Sequence, residues 1–358
     1  MVSWEVFYMR PPSPSTPEKD FFFAALDQNV RLDGRDFLEA RPLELSFGAE
    51  LGHVECSLGK TRSVHDLLTP THHTHLRTTA QKNSVLAHVD AKMVRPEPQR
   101  PFEGLISIHC ELSPMAGAEY EPGRSVLPLL PPPLPSSNSN SPTQRPHRSS
   151  EEETALARHL DKIFRRSDAI DREALCVLTG SRVWHLRLSV HVLSASASSS
   201  DAAAVGGGGL LDCASLACAA AVRHFRRAEV EVHGTGEVTV YAPSVRAPVP
   251  LALHHTPFCV SFAFYAEAAA EAKEAKEKKV RMLMDPAGLE LRLAHGVLVL
   301  VLTAQRELAV VHKAGGLPLA PETLVEAVEI AARRARELET WLDVRVHEDW
   351  ARKNVEVR

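Results

Sequence analysis

The residues best suited to chemistry in this sequence are cations. Within EEETALARHLDKIFRR, residues 151–166, Lys162 and Arg166 stand four apart, and on a helix that spacing places them on one face. Arg158 and Arg165 lie near that face. Like charges so spaced repel unless an anion sits between them, so the pattern fits a phosphate group. An ordinary solvated helix face fits the same residues. Gly59-Lys60-Thr61 has the ending of a phosphate-binding loop, but that motif needs glycine five residues before Gly59, where Val54 stands. Lys60 and Arg62 then read as cations at a strand end, facing solvent or an anion. His72, His73 and His75 have only Asp66 near them as a further ligand, so no metal site is expected. His254-His255, just before Pro257, reads as structural. The PxxP spacings of LPLLPPPLP fit an SH3-like groove or, more simply, a linker.

Strands and helices must position these groups. EKDFFFAALDQN from Glu18 has helix formers with Phe22 and Leu26 on one face; residues 1–17, ending in PPSPSTP, are expected to be disordered. Leu43, Leu45 and Phe47 alternate, a turn follows at Gly48–Gly52, and Val54, Cys56 and Leu58 alternate again, which predicts a β-hairpin. A strand is expected over Leu105–Leu112, a helix over Glu151–Arg166, and strands over Leu175–Thr179 and Val183–Leu193. Asp212 is expected to cap a helix over Cys213–Phe225. Six further strands are expected, at Glu229–Val232, Glu237–Tyr241, Pro257–Tyr265, Val280–Met284, Val297–Thr303 and Leu308–Lys313. A helix over Pro321–Leu342 follows, then a charged tail, 343–358. The order of elements is α+β in two similar halves, 18–193 and 210–342. Four segments read as insertions: Thr/His-rich 63–84, Pro/Ser-rich 125–150, Ala/Ser/Gly-rich 194–209 and charged 267–279. Joining Arg62 directly to Val85 gives LGKTRVLAHVDAKM, an uninterrupted strand, which suggests that residues 63–84 are a retained intron or a lineage-specific loop.

Composition narrows the function. The 358 residues hold 41 Lys and Arg against 45 Asp and Glu, a net charge of −4, which excludes a globally basic nucleic-acid binder but not a local basic face. The six cysteines, Cys56, Cys110, Cys176, Cys213, Cys218 and Cys259, form no CxxC pair and read as buried reduced thiols. No apolar run reaches the roughly 18 residues of a membrane span, and Arg10 with the Pro/Ser run spoils a signal peptide. A soluble intracellular protein, without membrane, metal or cofactor, is expected.

Several ordered stretches resemble the RNase PH family. Arg31-Leu32-Asp33-Gly34-Arg35, Leu45-Ser46-Phe47-Gly48, Leu58-Gly59-Lys60-Thr61-Arg62, Arg100-Pro101-Phe102-Glu103-Gly104 and Glu111-Leu112-Ser113-Pro114-Met115-Ala116 are similar to its opening. Leu175-Cys176-Val177, Val183-Trp184, Asp212-Cys213-Ala214-Ser215, His224-Phe225-Arg226-Arg227 and PFCVSFAF (257–264) resemble its branch of eukaryotic exosome ring subunits. The resemblance implies an RNase PH-like α+β fold of two βαβ-type halves, akin to the second domain of a ribosomal small-subunit protein, with mixed sheets and packed helices. It implies a ring with other RNase PH-like subunits, S1/KH cap proteins, RNA in the central channel, and a place in nucleus, nucleolus and cytoplasm.

Active relatives grip phosphate on a Gly-Thr/Ser-Arg turn at a helix start and use an acid ahead of a core strand. Here Gly206–Gly209 with Leu210-Leu211 replaces that turn, and Ala294-His295-Gly296 precedes the strand without an acid; Asp285-Pro286 is retained. The expected function is therefore a non-catalytic ring and RNA-channel subunit supporting 3′–5′ RNA processing and decay, rRNA and mRNA included. The alternative is a phosphorolytic 3′–5′ exoribonuclease with its own site. On the resemblance, Lys162 and Arg166 fall where relatives place two helix arginines near RNA and phosphate, and Arg100 and Arg124 flank a loop near the substrate path. Arg158 and Arg165, near the same helix face, complete the expected RNA contacts, and Lys60 and Arg62 are candidate anion contacts at a strand end.

Overall fold

The computed structural model describes residues 14–59, 82–116, 151–195, 209–234, 236–266 and 280–353. Lys60, Arg62, Arg124, the 72–75 histidines and nearly all of the four expected insertions lie outside these residues.

Helix α1 (Thr16–Asp27) opens the described chain. It begins before Glu18 because Ser15 caps it, with the Glu18 side chain returning to the Ser15 amide, and Pro17 sits in the first turn, where no amide hydrogen is needed. The first sheet is built from β1 (Leu43–Phe47), β2 (His53–Leu58), β3 (Asn83–Val94), β4 (Leu105–Leu112), β5 (Cys176–Leu178) and β6 (Arg182–Ser194), in the order β1-β2-β3-β6-β4 with β5 also on β6. Only β4 runs parallel to its neighbour. Cys56 faces Val85, and Val85 faces Val192. A row of buried side chains thus crosses three strands, and a one-residue slip would expose every member. Because Leu58 pairs with Asn83 across β2 and β3, the residues between them join two antiparallel arms. The uninterrupted strand expected from joining Arg62 to Val85 is therefore not formed; the excursion stands at a hairpin end.

Helix α2 (Glu151–Asp161) precedes β5, and α3 (Leu210–His224) follows β6. Short pairs come next: β7 (Arg226–Arg227) with β10 (Val249–Pro250), and β8 (Val230–Val232) with β9 (Val238–Val240). The second sheet, wholly antiparallel, takes β11 (Phe258–Ala266), β12 (Val280–Met284), β13 (Gly296–Leu302) and β14 (Leu308–Ala314) in the order β12-β11-β13-β14, with α4 (Gly288–Leu293) between β12 and β13. Strand β11 is buried on both faces. On one side its Phe258 and Phe262 share the main core with α3; on the other, Ala263 and Tyr265 are covered by Phe22 and Leu26 of α1. The amino-terminal helix thus serves the second sheet, although its residues precede the first. Helix α3 is rich in Ala and Cys and buried nearly all round, which lets β2 and β3 on one side and β11 on the other approach it closely.

Helix α5 runs over Pro321–Arg352, ten residues past the expected end at Leu342. Its buried stripe of Ala327, Ala331, Ala335, Leu338 and Leu342 continues through Val346 to Trp350, so the spacing that builds the helix persists into the supposed tail.

Candidate functional site

The stretch RLDGRDFLEAR, residues 31–41, carries three arginines into the interior. Arg31 is buried and grips Glu290 of α4 with two bonds, Nε to Oε1 at 3.0 Å and Nη2 to Oε2 at 2.6 Å. Its Nη1 donates to the carbonyl of Met284 at 3.0 Å. Arg41 holds Asp285 more tightly still: its backbone N–H donates to Oδ2 at 2.8 Å, Nε to Oδ2 at 2.9 Å, and Nη2 to Oδ1 at 2.6 Å. Arg35 adds a fourth bond to that carboxylate at 3.2 Å. Burial alone would raise the Asp285 pKa, but Arg41 and Arg35 overcome it and bring it down to about 2.

This ion pair lies against the start of α3. Gly209 is the N-cap, left-handed at φ 74°, and a Cβ there would collide with the Arg41 guanidinium. The expected capping role of Asp212 is not realised. Asp212 lies inside the first turn, turned inward, and accepts from the Ser261 backbone N–H at 3.1 Å and its hydroxyl at 2.8 Å. Burial, helped by the charge of Asp285, lifts the Asp212 pKa to about 6 against its hydrogen bonds from Cys259 and Ser261. The cavity bordered by Asp212, Asp285, Cys259 and Arg334 measures about 40 Å³, far below the roughly 300–1,000 Å³ of a small-molecule pocket. Ahead of β13, His295 contacts the rings of Phe23 and Tyr265, a packing role. Sequence reasoning missed this network; the signal was three arginines in one short stretch, spaced among Asp33, Asp36 and Glu39, with two acids distant in sequence, Asp285 and Glu290, to receive them.

The cationic segment is wound differently from expectation. The α-helix ends at Asp161, and 162–166 form a π-helical turn, which breaks the spacing that would align Lys162 with Arg166. Arg165 and Arg166 are exposed and both turn back onto Asp161, at 3.0 Å and 3.2 Å. Their mutual repulsion is thus relieved by an internal carboxylate. Arg158 is exposed and Lys162 half-buried, and neither pairs with a carboxylate among the described residues. His312 of β14 meets His159 of α2, ring centres 4.5 Å apart, beside Lys162. Burial, with His312 and Lys162 nearby, brings the His159 pKa down to about 4. Arg100 stands apart, bonded at 3.0 Å to Glu103, which also receives Arg172. All six cysteines are free; Cys176 is half-buried and the other five buried. Among the described residues no cluster of His, Cys, Asp and Glu fits a metal ion, and no helix is long and apolar enough to cross a membrane.

Residues 39–228 match the first domain of the 3′ exoribonuclease family, RNase PH, and residues 255–334 match its second domain. The chain belongs to the RNase PH family. The boundaries of the RNase PH domains place α3 with the first sheet and leave β8, β9 and β10 between the two matches. The exosome complex component RRP45 of Danio rerio is 32% identical over 92% of this chain and 66% of its own length. That of Schizosaccharomyces pombe is 31% identical over 88% of this chain and 85% of its own, and that of Saccharomyces cerevisiae 32% identical over 87% and 84%. The chain spans 58% of the human RRP45 and 66% of the Danio rerio one. Among solved structures, an Archaeoglobus fulgidus exosome with RNA bound to the active site has the same fold, at TM-score 0.59 and 20% identity over 90% of this chain and 96% of the other. An archaeal exosome core gives 0.56 and 20% over 91% and 96%.

Proposed function

We propose that this RNase PH family member is a non-catalytic ring subunit of an RNA exosome core, which holds RNA for nucleases elsewhere in the complex. Its partners are other RNase PH-like ring subunits, S1/KH cap proteins and RNA, in nucleus, nucleolus and cytoplasm. The relatives that carry the name exosome complex component RRP45 support the assembly. One observation carries the lack of catalysis: Asp285, the retained acid that follows β12 and packs against the start of α3, is bound by Arg41 and Arg35. A carboxylate so neutralised neither takes a proton nor stabilises charge that develops in a transition state. Asp212, beside it, spends both oxygens on Ser261. RNA contacts fall to Arg158 and Lys162, with Arg165 and Arg166 as partly neutralised neighbours, and such contacts hold phosphates without reading bases.

The test is a ring reconstituted around this chain and given RNA with inorganic phosphate. Asp212→Asn in this subunit is expected to leave the release of nucleoside diphosphates unchanged. A loss of phosphorolysis with the ring intact would instead make this chain a phosphorolytic exoribonuclease. Failure to join any ring would remove the reading altogether.

A further inference from the structure

The far end of α3 carries a second buried titratable group that the proposed function does not use. His224, fully buried, has both ring nitrogens engaged. The backbone N–H of Gly52, in the turn between β1 and β2, donates to Nδ1 at 3.0 Å. Nδ1 must therefore be unprotonated, and Nε2–H donates to Asp349 of α5 at 3.0 Å. The imidazole is neutral, in a single tautomer. Asp349 also pairs with Lys353, whose ammonium donates to it at 2.8 Å and to the carbonyl of Gly48 at 2.6 Å. The remaining neighbours are Phe47 of β1, its ring 4.7 Å from the imidazole, and the cation Arg226 of β7, which stacks on Trp350. Three segments, β1–β2, α3 and α5, thus meet at one ring.

We propose that neutral His224 latches the β1–β2 turn to the end of α3, and that protonation of its Nδ1 releases that turn. A proton on Nδ1 would set N–H against the buried N–H of Gly52 and remove the acceptor that this donor uses. The imidazolium would still pair with Asp349, so the helix side holds while the turn side lets go. It would also compete with Lys353 for Asp349 and loosen the second tie, at Gly48. Burial and the charge of Lys353 hold His224 in its neutral form, with Asp349 opposing them. The released segment ends β1, the edge strand of the first sheet, beside a cavity of about 200 Å³ formed by Leu45, Ser46 and Phe47 with Arg345, Glu348, Asp349 and Arg352. Mild acid thus frees one sheet edge without unfolding the core.

Hydrogen exchange of the full-length chain between pH 5 and 8, corrected for intrinsic exchange rates, tests this. Protection of 48–53 is expected to stay level above about pH 6.5 and to fall by up to about tenfold per pH unit below it, since the released imidazole titrates near its ordinary value. Protection within α3 should not change. In His224→Gln, whose amide can accept and donate but does not titrate, the profile for 48–53 should be flat. Equal protection at pH 5 and 8, or the same fall in the Gln variant, would overturn the latch. Should that variant fail to fold, nitrogen NMR of His224 in the unaltered protein decides: the tautomer protonated at Nε2 at pH 7.5 supports the latch, and an imidazolium at that pH overturns it.

Discussion

At Gly209 two demands coincide: the backbone is left-handed at φ 74°, and the place of a Cβ is taken by the Arg41 guanidinium. Gly209→Ala must then strain the backbone or push Arg41 off Asp285, and breaking a buried pair costs about 3–5 kcal/mol. Its urea midpoint should fall accordingly, while Gly180→Ala, also left-handed but open to solvent, should lose only about 1 kcal/mol. The neighbouring acids oppose each other in pH. Asp285, pulled down to about 2, adds stability that is complete above its ordinary value and lost as the pH falls from there toward 2. Asp212, raised to about 6, does the reverse: the folded state holds its proton longer than the unfolded chain, so stability drains away as the pH climbs from about 4 to 6. Asp212→Asn removes that second effect. The variant is expected to gain on the unaltered protein through this window, by about 3 kcal/mol at most, and then to run parallel to it. A constant gap between their urea midpoints from pH 4 to 7 would show that Asp212 is not held protonated.

Elements whose own pattern fixes them were legible: the alternation in 43–58 and the apolar run of β11 both appear where the sequence puts them. What escaped was decided by partners distant in sequence. Nothing in FFFAALD says that Phe22 will meet Tyr265, at 5.2 Å between ring centres. The inward turn of Asp212 depends on Ser261; the π turn at 162–166, by contrast, is a local departure, with Arg165 and Arg166 reaching back to Asp161. The end of α5 was legible but unread, since Val346 and Trp350 extend its stripe. Ending the chain after Leu342 should therefore be costly. It removes the buried Val346 and leaves the Nε2–H of His224 without Asp349, together about 3–5 kcal/mol, whereas removing a true tail would leave the thermal midpoint unchanged. At the other hairpin, a short Asn-Gly turn in place of residues 60–81 should keep the β2–β3 register. Each halving of the connection returns only about 0.6 kcal/mol, so the gain in urea stability should stay near 1–2 kcal/mol. A lower midpoint would mean that the excursion holds the strands together.

Across the whole molecule the net charge of −4 repels a nucleic acid, so any hold on RNA must come from a local excess of cations. The segment 158–166 supplies one, with Arg158, Lys162, Arg165 and Arg166 set against Asp161 alone. The structure divides these four. Arg165 and Arg166 share Asp161, and part of any attraction to phosphate is spent on leaving it. Arg158 and Lys162 leave no carboxylate among the described residues. His159 and His312, beside Lys162, are pushed toward the neutral form and add no charge at pH 7. The salt dependence of RNA binding by the assembled ring should reveal this inequality, because each phosphate contact on a single strand contributes a slope of about 0.7 in log affinity against log salt. Charge reversal of Arg158 and Lys162 together is expected to flatten the slope by about 1.4. Reversal of Arg165 and Arg166 should flatten it less, since their charge is already half compensated. Equal effects from both pairs would mean that Asp161 gives up its arginines freely to RNA, and no change in either would place the whole segment on a face that RNA does not reach.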